Sequence, residues 1–242
     1  MPKTIEDHLA NYYDTHGHPT TFETFAAARN ELRRVNGKEQ IKQLLVHDEW
    51  VDDKLNLIVK TDNIFTLAGK RLADKFPTQN EKLKQHGLMV LGNKPEHDSN
   101  WNNENFKETA SMSMHHKFLV QTDYLRWHRF NVLTMGMNKC QKDNDNDLHR
   151  LIVMSEQGIE FAKSEGWSPN LGMYFHVYPD NSVKSLHLHL VDLDHVGPAF
   201  DYQMHKNLSI DVAIKVLEME RRASSPWLAV RTHSTSVFVR HN

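Results

Sequence analysis

The segment Ser185-Leu-His-Leu-His-Leu is the feature that most narrows what this chain can fold into. Alternate side chains of a β-strand point to opposite faces, so a strand here places Ser185, His187 and His189 on one face and three leucines on the other. Leucines at every second residue indicate a strand with one face on a hydrophobic core. The segment therefore predicts a sheet whose second face carries two histidines about 6–7 Å apart.

Two imidazoles side by side on one strand face need hydrogen-bond partners, a ligand or contact with solvent, because burying an unsatisfied polar group costs free energy. Three interpretations stay open: satisfied surface histidines, a divalent metal site, or catalysis. A metal site would combine the His-x-His pair with nearby imidazoles and carboxylates. Those candidates are His176, His195, Asp192 and Asp194. The β-barrels that use such a pair are all-β, and the helices predicted below argue against that fold, so no metal is expected.

The second half of the chain alternates between strand and helix patterns. The predicted strands are Lys117–Gln121, Phe130–Thr134, Met173–Tyr178 and Val183–Leu193. Apolar residues at helical spacing predict a helix from Asp145 or Asp147 to Gly166, and another from Ser209 to about Arg222. Strands of this order, with two helices between and after them, indicate an antiparallel sheet covered by helices, an α+β arrangement.

The first hundred residues are less regular. A helix is predicted over residues 20–46 with Thr20 or Thr21 as its cap, and a helix-like stretch over Phe65–Phe76. Leu55–Val59 and Leu88–Leu91 are the predicted strands or buried segments. Residues 92–105 are rich in turn-forming residues and nearly free of apolar ones, which indicates a linker or long loop. We therefore expect an accessory region of unknown role over residues 1–100.

Composition excludes several classes of protein. The formal net charge of −2 gives no overall attraction to long nucleic acid or to a membrane surface. No apolar stretch approaches the roughly 20 residues that span a bilayer, and the polar N-terminus lacks a secretory signal. The single cysteine, Cys140, cannot form an internal disulfide and lies in a polar stretch without an obvious base. These features favour a cytoplasmic protein.

The segment Met173-Tyr-Phe-His-Val-Tyr-Pro179, followed by the histidine strand, resembles the histidine-triad (HIT-like) superfamily, whose motif is His-φ-His-φ-His-φ-φ with φ apolar. Within that superfamily, it and the later segment His205-Lys-Asn-Leu-Ser-Ile-Asp-Val-Ala are most similar to the C-terminal domain of scavenger mRNA-decapping enzymes. The resemblance covers roughly residues 115–222 and includes Phe130–Thr134 as the family's second core strand. It implies a HIT-like antiparallel sheet with flanking helices over residues 110–242, preceded by a mixed helical N-terminal region.

The resemblance also implies roles for individual residues. His187 takes the place of the nucleophile that attacks a phosphate and forms a covalent nucleotidyl-histidine, which water then hydrolyses. A neutral imidazole with a pKa near ~6.5 suits this chemistry at neutral pH. His189 becomes the outer histidine that binds a phosphate oxygen, and Asn181 and Ser182 grip phosphate. His176, on the adjacent strand, would meet the phosphates or the leaving group.

The chain departs from the family pattern at two places. Ser185 stands where the triad has its first histidine, and a serine cannot carry positive charge toward a phosphate. The chain also has His128-Arg-Phe-Asn-Val-Leu-Thr where many members have Gly-His-Val-Leu-Val-Ile-Pro. Either His128 or Arg129 would supply the missing positive group, the arginine as a bidentate phosphate ligand. Ser185, His187, His189 and His176 are thus the candidate catalytic residues.

The sequence favours a nucleotidyl hydrolase or transferase that cleaves a nucleoside phosphoanhydride or phosphoramidate without a cofactor. The alternatives are binding of nucleotides without turnover, a non-nucleotide substrate, and the His-x-His metal site. The expected partner is a small-molecule substrate, a nucleotide on the favoured interpretation, with no membrane or long nucleic acid. A homodimer is implied by analogy with histidine-triad proteins.

Overall fold

The computed structural model of the 242-residue chain describes residues 5–35, 75–122, 131–137, 147–180 and 186–223. Within these ranges the chain forms helices and one five-stranded antiparallel sheet. The predicted α+β class is therefore confirmed. None of the helices in these ranges has the length and apolar character needed to cross a membrane.

The sheet places the histidine strand at its centre. Its strands are β1 Leu88–Gly92, β2 His116–Gln121, β3 Leu171–His176, β4 His187–Asp192 and β5 Asn207–Ser209. They lie in the order β1-β2-β4-β3-β5, and each neighbouring pair is antiparallel. Because β4 is flanked by β2 and β3, all of its residues are buried. The strand predicted over Val183–Leu193 is thus confirmed over His187–Asp192, and Leu193 begins a 3₁₀ turn instead.

The described helices are α1 Ile5–His16, α2 Phe22–Arg34, α3 Pro77–Lys84, α4 Pro95–Ser99, α5 Asp147–Ser164, α6 Pro198–Gln203 and α7 Ile210–Ala223. Of these, α1, α2, α3, α5 and α7 contribute residues to the hydrophobic cluster on the leucine face of the sheet. Leu188 and Leu190 of β4 belong to the same hydrophobic cluster as Met154 of α5, Val216 of α7 and Phe25 of α2. One face of the sheet is therefore the hydrophobic core, and the histidines are on the other face.

Arg29 ties the N-terminal helices to this core. Its side chain is fully buried, and its guanidinium donates to the Glu220 carboxylate of α7 at 2.6 Å. It also donates to the carbonyl oxygens of Leu133 at 2.8 Å and Met135 at 2.7 Å. A buried guanidinium is tolerated when its donors are satisfied in this way. One charged side chain thus connects α2, α7 and residues 131–137.

Helix boundaries follow the caps that the sequence indicates. Thr21 caps α2 in a reciprocal pair with Thr24, which confirms the predicted start of the helix over residues 20–46. The Ser209 hydroxyl accepts the N–H of Asp211 at 3.2 Å at the start of α7. Leu55–Val59 and most of Phe65–Phe76 lie outside the described residues.

The strand predicted over Phe130–Thr134 is wrong for its described residues, which are Asn131–Thr134. Val132–Thr134 form a single 3₁₀ turn instead. The Asn131 side chain accepts the N–H of Leu133 at 3.0 Å, and the Asn131 carbonyl accepts the Thr134 hydroxyl at 3.0 Å. These local hydrogen bonds satisfy groups that a strand would need for its ladder, and an asparagine before the turn favours them.

Residues 92–105, predicted as a linker or loop, contain the short helix α4 and lead into the 3₁₀ turn Glu104–Phe106. Strand β1 precedes this segment and pairs with β2, which follows it. Helices α1 and α2 share the hydrophobic cluster of the sheet. The division into residues 1–100 and 110–242 stays a prediction, but the described parts of both ranges contribute to one sheet and one core.

Candidate functional site

Four histidines converge on the sheet face opposite the β4 leucines. They are His116 of β2, His176 of β3, and His187 and His189 of β4. Phe118 of β2 and Tyr174 of β3 both lie opposite His189. Because alternate residues of a strand share a face, the histidines two residues from Phe118 and Tyr174 share the face of His189. Three strands thus supply one imidazole cluster.

A hydrogen-bonded chain fixes the proton on His189. The Met112 N–H donates to Nδ1 of His116 at 3.1 Å, and Nε2 of His116 lies 2.9 Å from Nδ1 of His189. A backbone N–H can only donate, so Nδ1 of His116 carries the lone pair and the neutral ring holds its proton on Nε2. That proton is donated to Nδ1 of His189, and neutral His189 must carry its own proton on Nε2.

The Nε2–H of His189 is buried and has no hydrogen-bond partner among the described residues. The same holds for Nε2 of His176 and for Oδ1 of Asn207, which lies opposite His176 on β5. The ring centroids of His176 and His189 are 3.8 Å apart, and those of His187 and His189 are 4.8 Å apart. Since buried polar groups in proteins are nearly always satisfied, the orphaned Nε2–H of His189 marks the place of a ligand.

Burial keeps these imidazoles neutral. Desolvation is the largest cause that lowers the pKa of His116 to about 3 and the pKa values of His176 and His189 well below the ordinary range. Neighbouring imidazoles and the positive charge of Lys206 lower the last two further, and the Asn207 side chain opposes the shift at His176. In the described part of the chain, no carboxylate contributes to these shifts.

The cluster has the size of a metal site, but Nε2 of His189 carries a proton, whereas a metal ligand needs a lone pair at that atom. One ligand atom from each of His176, His187 and His189 lies within 4.8 Å of the others. Metal-bound histidines almost always donate their other ring N–H to an acceptor, which orients the lone pair toward the ion. His189 does the reverse, because its Nδ1 accepts from His116 and its proton is on Nε2. An oxygen ligand that accepts a hydrogen bond fits this atom better than a cation.

The structure brings together three of the predicted site residues: His176, His187 and His189. The other predicted site residues lie outside the described residues, and their roles stay predictions: Ser185, Asn181, Ser182, His128 and Arg129. Cys140 lies outside them as well.

His195, a metal-ligand candidate from the sequence, lies beyond the other end of β4. Its Nδ1 is 3.2 Å from the buried Asp192 carboxylate, whose other oxygen accepts the Ser168 hydroxyl at 2.6 Å. These residues form a group separate from the imidazole cluster.

Three residues near the cluster are absent from the sequence prediction: His116, Lys206 and Asn207. The predicted strand Lys117–Gln121 begins one residue too late, and a strand extended to His116 would have shown that a second strand carries a histidine. Lys206 and Asn207 lie in the segment after His205 that contributes to the resemblance, but the resemblance implies no role for either residue. Only the pairing of β3 with β5 reveals that they lie beside His176.

No family model, curated protein or solved structure matches this chain. The functional argument therefore depends on the fold and on the geometry of the imidazole cluster.

Proposed function

We propose that this chain is a nucleotidyl hydrolase or transferase of the histidine-triad type, in which His187 is the nucleophile and His189 binds the phosphoryl oxygen. The observation that carries the proposal is the buried Nε2–H of His189, unpartnered in the described part of the chain and aimed at the same space as His176 and His187. A donor held in place before the ligand arrives stabilises developing negative charge without reorganisation.

The electrostatics of the cluster support an anionic ligand. Lys206 is the charged side chain that lowers the pKa of both His176 and His189, and no carboxylate among the described residues shifts either one. A phosphate group would satisfy the His189 donor and gain from the nearby positive charge. A cationic or purely apolar ligand would leave that donor unsatisfied.

The chemistry is a double displacement at phosphorus. A lone pair of the His187 imidazole attacks the phosphorus, a P–N bond forms, and the P–O bond to the leaving phosphate or nucleotide breaks with its electron pair. His189 Nε2–H donates to a non-bridging oxygen in both steps. Water then attacks the phosphorus, the P–N bond breaks with its electron pair returning to the ring nitrogen, the proton lost by water passes to solvent, and His187 regains its lone pair. Neutral imidazoles suit this sequence, because a protonated His187 has no lone pair to attack with.

The HIT-like fold is part of the proposal. A five-stranded antiparallel sheet with the His-x-His strand at its centre and helices on the opposite face supports it. The histidine strand pairs with β2 and β3, and Val132–Thr134 form a 3₁₀ turn instead of the family's second core strand. Ser185 lies two residues before His187, so the catalytic contribution of a first triad histidine must come from elsewhere.

A metal site is the second candidate, and the spacing of three imidazoles within 4.8 Å favours it. Metal analysis of the purified protein and a calorimetric titration with Zn²⁺ distinguish the two. Nanomolar to micromolar Zn²⁺ affinity that is lost in both His187→Ala and His189→Gln would support the metal site. Weak Zn²⁺ binding combined with tight nucleotide binding would support the phosphate site.

The experiment that tests the proposal compares wild type with His187→Ala and with the matched control His195→Ala, which removes an exposed histidine outside the cluster. The substrates are a dinucleoside polyphosphate, a cap-like dinucleotide and a nucleoside phosphoramidate. We expect at least a 1,000-fold loss of kcat in His187→Ala, since a nucleophile is removed, and little change in the control. Equal rates in wild type and His187→Ala would overturn the mechanism. Nucleotide binding without turnover in wild type would instead support the alternative of a binding protein.

A further inference from the structure

Lys206 is placed by backbone and side-chain contacts at the edge of the imidazole cluster. It directly precedes β5, and its carbonyl accepts the N–H of Val177, the residue after His176, at 3.0 Å. Its Nζ donates to the carbonyl oxygen of Asp180 at 3.4 Å, in the turn that follows β3. The backbone contact places Lys206 opposite Val177, one residue beyond the His176–Asn207 pair, and the Asp180 contact fixes the end of its side chain.

The ammonium of Lys206 is not balanced by a close ion pair with any described residue. Its recorded hydrogen bond goes to a carbonyl, which leaves two N–H donors for other groups. The Asp180 carboxylate, which lies 3.1 Å from Nδ1 of His18, raises the pKa of Lys206 through its charge but forms no close ion pair with it. Burial lowers the pKa of the Lys206 ammonium, which is the sign of a charge that lacks sufficient solvation. An anion bound at this position would supply the missing counter-charge.

We propose that Lys206 is the phosphate-binding cation of this site and holds the phosphate group next to the one bound by His189. The inference rests on the proposed nucleotidyl chemistry and names a residue for a role that the serine at position 185 leaves open. Neutral imidazoles provide hydrogen bonds but no net positive charge. Lys206 provides that charge from the residue directly before β5, which flanks β3 on the side opposite β4. It therefore selects ligands by the number of their phosphates.

Calorimetry with adenosine, AMP and ATP tests this role in the full-length chain. Lys206→Gln removes the charge and keeps a polar side chain one bond shorter, and Lys206→Arg restores the charge. Lys84→Gln is the control, because Lys84 is exposed and lies in the helix that packs on β1, at the opposite edge of the sheet from β5. We expect ATP affinity to fall about 10- to 100-fold in Lys206→Gln, as for the loss of a charge-assisted hydrogen bond. Adenosine binding should stay unchanged, and Lys206→Arg should recover most of the loss. The salt dependence of ATP binding should also be weaker in Lys206→Gln.

The outcomes separate this inference from the proposed function. If wild type binds ATP and Lys206→Gln binds it equally well, the inference is overturned and the proposed function stands. If Lys206→Gln weakens adenosine as much as ATP, the residue supports the fold of the site and the inference is overturned. If wild type binds neither AMP nor ATP, both the inference and the proposed function fail.

Discussion

The buried imidazole cluster should make the folded protein sensitive to mild acid. His116, His176 and His189 have pKa values lowered by burial, to about 3 at His116 and well below the ordinary range at the other two. In the unfolded chain the same side chains titrate near ~6.5. As the pH falls below that value, the unfolded state takes up protons that the folded state does not, so stability decreases.

The size of this effect follows from linkage. Between pH 7.5 and 5.5, a histidine with an unfolded pKa near ~6.5 that stays neutral in the folded state costs about 1.4 kcal/mol of stability. The three buried histidines therefore cost about 4 kcal/mol, against a typical total of about 5–15 kcal/mol for a domain. The contribution is fully present above pH ~7 and is lost progressively toward the folded pKa values.

Carboxyl groups with lowered pKa values do not contribute to the change in stability between pH 7.5 and 5.5. Glu31, Asp192 and Glu220 have lowered pKa values, so their contributions are lost only below the ordinary carboxyl range, near pH ~4. Urea unfolding followed by circular dichroism at pH 7.5, 6.5 and 5.5 measures the histidine effect alone.

A matched pair of variants assigns the effect to the cluster. His116→Gln should reduce the loss between pH 7.5 and 5.5 by about 1.4 kcal/mol relative to wild type, whatever it does to stability at pH 7.5. His86→Gln replaces an exposed histidine and should leave the pH dependence unchanged. A wild-type loss below about 1 kcal/mol, or an undiminished loss in His116→Gln, would refute the reasoning that these rings are buried and neutral.

Three further predictions follow from other contacts. His116→Phe keeps an aromatic ring beside His189 but removes the proton donor, so kcat should fall more than nucleotide affinity and its pH profile should shift; an unchanged pH profile would contradict the proton chain. Thr21→Ala removes the cap of α2 and should lower the free energy of unfolding by about 1 kcal/mol, measured by urea titration with the exposed substitution Thr15→Ala as control. Arg29→Leu leaves buried carbonyl oxygens unpaired and should lower the free energy of unfolding by about 3–5 kcal/mol. A loss below about 1 kcal/mol would mean that the guanidinium does not stabilise the fold.

Much of the fold could be predicted from local sequence because its signals are local. The alternation of leucine and histidine fixes which face of β4 meets the core, and Leu188 and Leu190 are fully buried as that pattern requires. The caps at Thr21 and Ser209 depend on residues at most three positions away. The strand prediction over Phe130–Thr134 is wrong because it relies on the apolar residues after Asn131. The Asn131 side chain accepts the N–H of Leu133 and favours a turn there.

The completed site could not be predicted, because its decisive contacts join distant parts of the chain. His116 and His189 are separated by 73 positions, and only the β2–β4 register brings their rings within hydrogen-bond distance. Lys206 lies beside His176 through the β3–β5 pairing in the same way. The sequence predicted His187 and His189 as candidate catalytic residues, but the proton on Nε2 of His189 depends on an amide at Met112 that no motif connects to it.

The most direct test of the account is to look for the covalent intermediate on His187. Wild type is mixed with a dinucleoside polyphosphate, denatured within milliseconds at alkaline pH to preserve a phosphoramidate, digested, and examined by mass spectrometry. The account predicts a nucleotidyl group on the peptide that contains His187, bonded to a ring nitrogen of that histidine, and no such group in His187→Ala. Turnover of the same substrate without any adduct, and at equal rates in both proteins, would contradict it.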